Sequence, residues 1–77
     1  MALIEDLILQ DQDRNGAHRA VEATYCVFYQ GGRRYLQINT YGSPERKHAG
    51  TASQTIQLNE KSAAALLAII KREFRLA

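Results

Sequence analysis

With 77 residues, 45% of them hydrophobic and 23% charged, the chain has room for one small domain around one core. Its single cysteine, Cys26, excludes a disulfide-stapled scaffold, and one proline with no low-complexity tract excludes a disordered chain. The net charge of +2 is unevenly spread: residues 1–30 set five acids against Arg14 and Arg19, a net of −3, whereas residues 31–77 set eight Lys and Arg against Glu45, Glu60 and Glu73, a net of +5. An anionic partner is therefore expected on the later part of the chain.

A chain this short is marginal as a lone folding unit. Apolar burial contributes roughly 120 kcal/mol and ordering the chain costs roughly 115, so extra core from a second copy is a physical advantage. The lone cysteine points to a reducing compartment, the cytoplasm. No apolar run approaches the roughly 20 residues that span a bilayer. Met1 to Gln10 carries Glu5 and Asp6 where a signal peptide would carry Lys or Arg.

Along the chain, Leu3, Ile4, Leu7 and Ile8 fall at helical spacing, while Leu7-Ile8-Leu9 equally suits a short strand, so residues 2–10 are open between the two. Asp11 to Gly16 is turn chemistry. Within it, Asp11, Asp13, Asn15, Gly16 and Glu22 complete the calcium-loop pattern D-x-[DN]-x-[DN]-G-x5-E, whose oxygens and sharp glycine turn suit a hard cation. That loop needs an exiting helix, however, and the residues after Glu22 are strand formers, with Arg19 placed in the cation's own shell.

Val21 to Gln30 and Arg34 to Tyr41 are rich in β-branched and aromatic residues and predict two strands, separated by Gly31-Gly32, a pair suited to a two-residue hairpin turn. A tight turn makes every cross-strand pair sum to 63. Val27 with Leu36, Tyr25 with Ile38 and Ala23 with Thr40 then share one face, expected to be core. Phe28 with Tyr35, Cys26 with Gln37, Thr24 with Asn39 and Glu22 with Tyr41 share the other, which is polar with aromatics. Gly42 to Gly50 reads as a loop that concentrates Arg46, Lys47 and His48. Thr51 to Leu58 predicts a third strand with Ile56 and Leu58 inward and Thr55 and Gln57 outward.

Asn59 is a helix N-cap with Glu60 in the first turn, and Ala63, Leu66, Leu67, Ile70 and Phe74 form an apolar stripe with Lys71, Arg72 and Arg75 near its end. Ala64, Ala65, Ala68 and Ile69 widen that stripe beyond what one small sheet needs, which a partner's helix would use. The expected fold is thus α+β in a single domain: an N-terminal segment over 1–19, a twisted antiparallel sheet of three to four strands over 20–58, and an amphipathic helix over 59–76, associated as a homodimer.

Catalysis has little to draw on. Two histidines, one cysteine, no P-loop, no HExxH and no paired-cysteine ligand set leave no nucleophile with a base, so neither an enzyme nor a cofactor or metal centre is expected. The more informative set is the outward hairpin face with the basic loop. Rings of Phe28, Tyr35 and Tyr41 can stack on unpaired bases, Gln37 and Asn39 can bond base edges or sugars, and Arg33, Arg34, Arg46 and Lys47 can meet phosphates.

From Tyr25 to Ile70 the order of features resembles the single-stranded-DNA-binding domain family of the transcriptional coactivator positive cofactor four. The parallel runs through Gly32-Arg33-Arg34-Tyr35-Leu36-Gln37-Ile38-Asn39-Thr40-Tyr41, through Glu45-Arg46-Lys47-His48-Ala49-Gly50, and through Thr55-Ile56-Gln57-Leu58 leading into the last helix. The resemblance implies a homodimer formed through the helix and adjoining sheet. It also implies binding of single-stranded DNA with little sequence preference, and Arg33, Arg34, Tyr35, Gln37, Asn39, Tyr41, Arg46 and Lys47 as the DNA-facing set. The family's proline and lysines between loop and last strand are replaced here by His48, Ala49, Thr51 and Ala52. The expected function is a non-catalytic single-stranded nucleic-acid-binding protein, cofactor-like in transcription or another DNA transaction, with RNA open as the ligand. A protein-interaction module using the same outer face is the first alternative, and a calcium-binding loop protein the second.

Overall fold

A computed structural model describes residues 1–42 and 52–76. Four strands and one helix follow in the order β1 (Ala2–Ile4), β2 (Ala23–Gln30), β3 (Arg33–Thr40), β4 (Gln54–Leu58) and α1 (Glu60–Glu73). The strands form one sheet in the order β1-β4-β3-β2. The fold is α+β, with a sheet that is antiparallel except at one edge, where β1 runs parallel to β4.

The β2–β3 hairpin has the register expected from its turn: Gln30 pairs with Arg33, Phe28 with Tyr35, and Ala23 with Thr40. Gly31 and Gly32 take φ of 60° and 76°, the left-handed region that a two-residue hairpin turn requires and that only glycine enters without strain. β4 pairs with β3 so that Leu36 meets Leu58 and Ile38 meets Ile56. These residues, with Tyr25 and Val27 of β2 and Ile4 of β1, share the face toward the helix.

Residues 2–10, open in the sequence between helix and strand, contribute a three-residue strand at 2–4, where Ala2, Leu3 and Ile4 lie beside Ile56, Gln57 and Leu58. Leu7 to Gln10 adopt no regular structure and lie alongside the helix at Ala65, Ala68 and Ile69. Two side-chain contacts tie this arm to the start of the helix. Asn59 Oδ1 accepts from the Ser62 backbone N–H at 2.9 Å, and the Asn59 N–H donates to Ser62 Oγ at 3.0 Å, closing a capping box. The Asn59 amide nitrogen then donates to Glu5 Oε1 at 2.8 Å, and Lys61 Nζ pairs with Asp6 at 2.7 Å. At the other end, Phe74 N–H donates to Ile70 O, Leu76 N–H donates to Lys71 O, and Arg75 takes φ 55°, a Schellman-type stop.

The core is small. Among the described residues Leu58, 3% exposed, is the buried hydrophobic residue, Ser62 is fully enclosed, and an apolar recess of about 90 Å³ lies among Val27, Leu36, Leu58 and Ala63. The expectation that Tyr25 and Val27 are core is corrected by the helix position: α1 packs over β3 and β4, leaving Tyr25 76%, Val27 53% and Tyr29 64% exposed on β2. Leu67 and Phe74 of the predicted stripe are likewise exposed, whereas Ala63, Leu66 and Ile70 are partly covered. The chain exposes 6858 Å², against roughly 4,700 Å² for a compact monomer of this mass. Its radius of gyration is 14.4 Å, against roughly 11.5 Å. The open segment 5–22 accounts for part of that surplus, and the uncovered apolar side of β2 for another part.

Candidate nucleic-acid interface

The face of the sheet turned away from the helix is assembled by strand alternation. Even-numbered residues of β2 and odd-numbered residues of β3, β4 and β1 point to it, which brings together Thr24, Cys26, Phe28 and Gln30, then Arg33, Tyr35, Gln37 and Asn39, then Thr55 and Gln57, and finally Leu3. The eight-residue strands β2 and β3 run roughly 27 Å, and the shorter β4 and β1 widen the face to roughly 14 Å over part of that length.

At the hairpin end, Phe28 and Tyr35 stack with ring centroids 5.3 Å apart and planes inclined by 21°. Both are half-buried, and a shallow depression lies among Leu3, Phe28, Gln30, Tyr35 and Gln57. Behind the rings runs a hydrogen-bonded ladder across three strands. Gln57 Nε2 donates to Gln37 Oε1 at 2.8 Å, Gln37 Nε2 donates to Asn39 Oδ1 at 3.1 Å, and Thr55 Oγ1 donates to the same oxygen at 2.9 Å. Asn39 Nδ2 reaches Thr24 Oγ1 at 3.5 Å, and that hydroxyl lies 3.0 Å from Tyr41 OH. Mutual bonding holds the carboxamides in place, while each amide nitrogen retains a second N–H.

Of the expected site residues, Phe28, Arg33, Tyr35, Gln37 and Asn39 stand on this one face, with Tyr41 tied to it through Thr24. Arg34 does not: it points to the helix side, its guanidinium 4.9 Å from the centre of the Tyr29 ring. Arg46 and Lys47 lie outside the described residues. The structure adds Thr55, Gln57 and Leu3 to the face, beside Thr24, which its pairing with Asn39 already assigns there. The alternation of Thr55 and Gln57 is visible in the sequence as an outward polar pattern; that β4 lies beside β3 is not.

The calcium-loop residues do not converge. Among the described residues no three His, Cys, Asp or Glu side chains approach closely enough to share a cation, and strand β2 stands where an exiting helix would be needed. Asn15 Nδ2 instead donates to the Gln12 carbonyl at 2.7 Å, a local turn contact. Among the described residues no helix is long and apolar enough to cross a membrane. Lys61, away from the open face, has its pKa raised above the ordinary value by its hydrogen bond to Asp6 and then by that carboxylate's charge.

Together these features define a type of surface: an uncharged, hydrogen-bonded sheet platform with a stacked aromatic pair at one end and a cation at its rim. No family model, curated protein or solved structure matches the chain.

Proposed function

We propose that this chain is a non-catalytic single-stranded nucleic-acid-binding protein of low sequence preference, acting as a homodimer in the cytoplasm, and that the open face of the sheet is its interface. The observation that carries the reading is the placement of the Phe28–Tyr35 stack beside the Gln57–Gln37–Asn39 ladder on a face that no other described element covers. Aromatic faces accept any unpaired base, contributing about 1–3 kcal/mol per base. The remaining amide N–H groups suit base edges or sugar oxygens, and Arg33 at the rim suits phosphates, a role the sequence also offers to Arg46 and Lys47. A duplex hides its base faces and offers such a platform only its backbone. The resemblance to the positive cofactor four family supports the same assignment and suggests a cofactor-like role in transcription or another DNA transaction. A second copy is supported by the exposed apolar residues Tyr25, Val27, Tyr29 and Leu67.

The test is a fluorescence-anisotropy titration with a labelled mixed-sequence single-stranded DNA, the matching RNA and the DNA duplex, at low and moderate salt. Preferential, salt-sensitive binding of a single strand is expected, and comparison of the two single strands decides between DNA and RNA. Absence of binding at low salt overturns the reading and leaves the open face to a protein partner.

A further inference from the structure

The outer edge of β2 is an eight-residue length of strand with no described strand beside it. β2 ends the sheet, and no described strand lies beyond it. Edge strands of soluble proteins are normally blunted by lysine, proline, a bulge or a very short length. β2 has none of these: its eight residues, Ala-Thr-Tyr-Cys-Val-Phe-Tyr-Gln, contain no charge and no proline, and its pairing with β3 is uninterrupted from Ala23 to Gln30.

The hairpin turn determines which groups face outward. In a two-residue turn the flanking pair, Gln30 and Arg33, is hydrogen-bonded, and bonded and non-bonded pairs then alternate. Residues 24, 26, 28 and 30 therefore bond to β3, and the N–H and C=O groups of Ala23, Tyr25, Val27 and Tyr29 point to the open edge. The last three are also the apolar residues that α1 leaves uncovered. Polar backbone and apolar side chains thus want cover along the same line.

We propose that the occupant of this edge is a second copy of the chain, its β2 added antiparallel to the first across a two-fold axis at Cys26, so that two four-stranded sheets become one of eight. The partner follows from self-complementarity. Antiparallel neighbours share faces, so the two residue numbers of each cross-seam pair must have an even sum. A sum of 52 pairs Tyr25 with Val27 and Ala23 with Tyr29 of the partner, bonding all four outward residues of each copy. A sum of 54 leaves Ala23 opposite Gly31, which is already held at φ 60° by the turn. With no charge in β2, no like charges meet at any register. Tyr25, Val27 and Tyr29, 76%, 53% and 64% exposed, supply the apolar side of such a seam. The two-fold axis also places both open faces on the same side of the joined sheet, giving one continuous platform.

This inference rests on the association with a second copy proposed above and not on the nucleic-acid reading, which the titration tests separately. Cys26 supplies the probe. At the axis it faces Cys26 of the partner in a non-hydrogen-bonded pair, with Cα atoms about 4.5 Å apart, inside the range a disulfide spans. Copper(II)-phenanthroline would take two electrons from the two thiols, which lose their protons and form one S–S bond. The expected results are a dimer by sedimentation velocity at micromolar concentration and a Cys26-linked dimer on non-reducing gels. No link is expected when the thiol is moved in a Cys26→Ser, Thr24→Cys chain, where the two sulfurs would lie several residues apart. Val27→Pro removes an outward N–H and none of the β2–β3 bonds, so it should keep the circular-dichroism spectrum and sediment as a monomer; Tyr25→Lys should do the same by placing charge at the seam. A parent that sediments as a monomer overturns both the association and the seam. A dimer that survives both variants and gives no Cys26 link overturns the seam alone.

Discussion

Replacing Tyr35 with alanine separates the proposed role of the open face from its structural role. The Tyr35 ring stacks on Phe28 at 5.3 Å and 21°, and such pairs contribute about 0.5–1.5 kcal/mol beyond the area they bury. A domain of this length holds roughly 4–12 kcal/mol of stability, and Tyr35→Ala loses the area of a half-buried ring as well as the stack, so binding is compared at a temperature below the variant's own melt. If the ring also stacks on a base, its loss removes about 1–3 kcal/mol of binding, a rise in Kd of about 5- to 150-fold. Phe28 borders the same depression and can take over part of the stacking, so Phe28→Ala with Tyr35→Ala should weaken binding by less than the product of the two single effects. Tyr35→Phe, which keeps the ring, should bind within about twofold of the parent. The assay is anisotropy with a labelled single strand, with a thermal melt of each variant as the folding control. A folded Tyr35→Ala protein that binds as tightly as the parent refutes the reasoning, because the stack would then be only a cross-strand pair.

Three further outcomes test how the structure is held. Asn59→Ala loses the helix cap and the bond to Glu5 together, and should cost about 1–2 kcal/mol in urea unfolding; Asn59→Asp, which keeps the capping oxygen but not the donor to Glu5, should cost less. Arg75→Gly should stabilise the chain by about 1 kcal/mol, because Arg75 holds φ 55° in the helix stop and glycine enters that region without a Cβ penalty; an unchanged urea midpoint would show that the stop is not formed. The Lys61–Asp6 pair should matter only while Lys61 is charged. Its folded pKa lies above its unfolded value, so the pair's contribution is complete below the unfolded value and is lost as the pH rises through the folded one. Unfolding curves of the parent and Lys61→Met should therefore differ at pH 8 and converge above the ordinary lysine range; a difference that persists there would trace to the aliphatic stem.

The elements governed by neighbours in the chain were legible from the residues alone. The Gly31-Gly32 turn admits one register, and that register assigns Phe28, Tyr35, Gln37 and Asn39 to one face through strand alternation. Asn59 declares the helix start because its side chain caps an N–H three residues away, although the reciprocal bond from the Asn59 N–H to Ser62 Oγ emerges only in three dimensions. Arg34 is placed by strand parity and not by its charge: its pairing with Tyr29 turns it to the helix side, whereas Arg33 beside it stands on the open face.

What the tertiary structure alone decided is long-range. A three-residue strand at Ala2–Ile4 is too short to announce itself by periodicity and exists because the edge of β4, 54 residues on, offers backbone partners. Gln57 and Thr55 join the platform only because β4 lies beside β3, which no local pattern encodes. The position of α1 over β3 and β4 leaves β2 with its apolar side bare, although the sequence marks that side as core. Hydrophobic patterning states which residues need cover; which of them one chain of 77 residues can cover depends on the area its single helix spans.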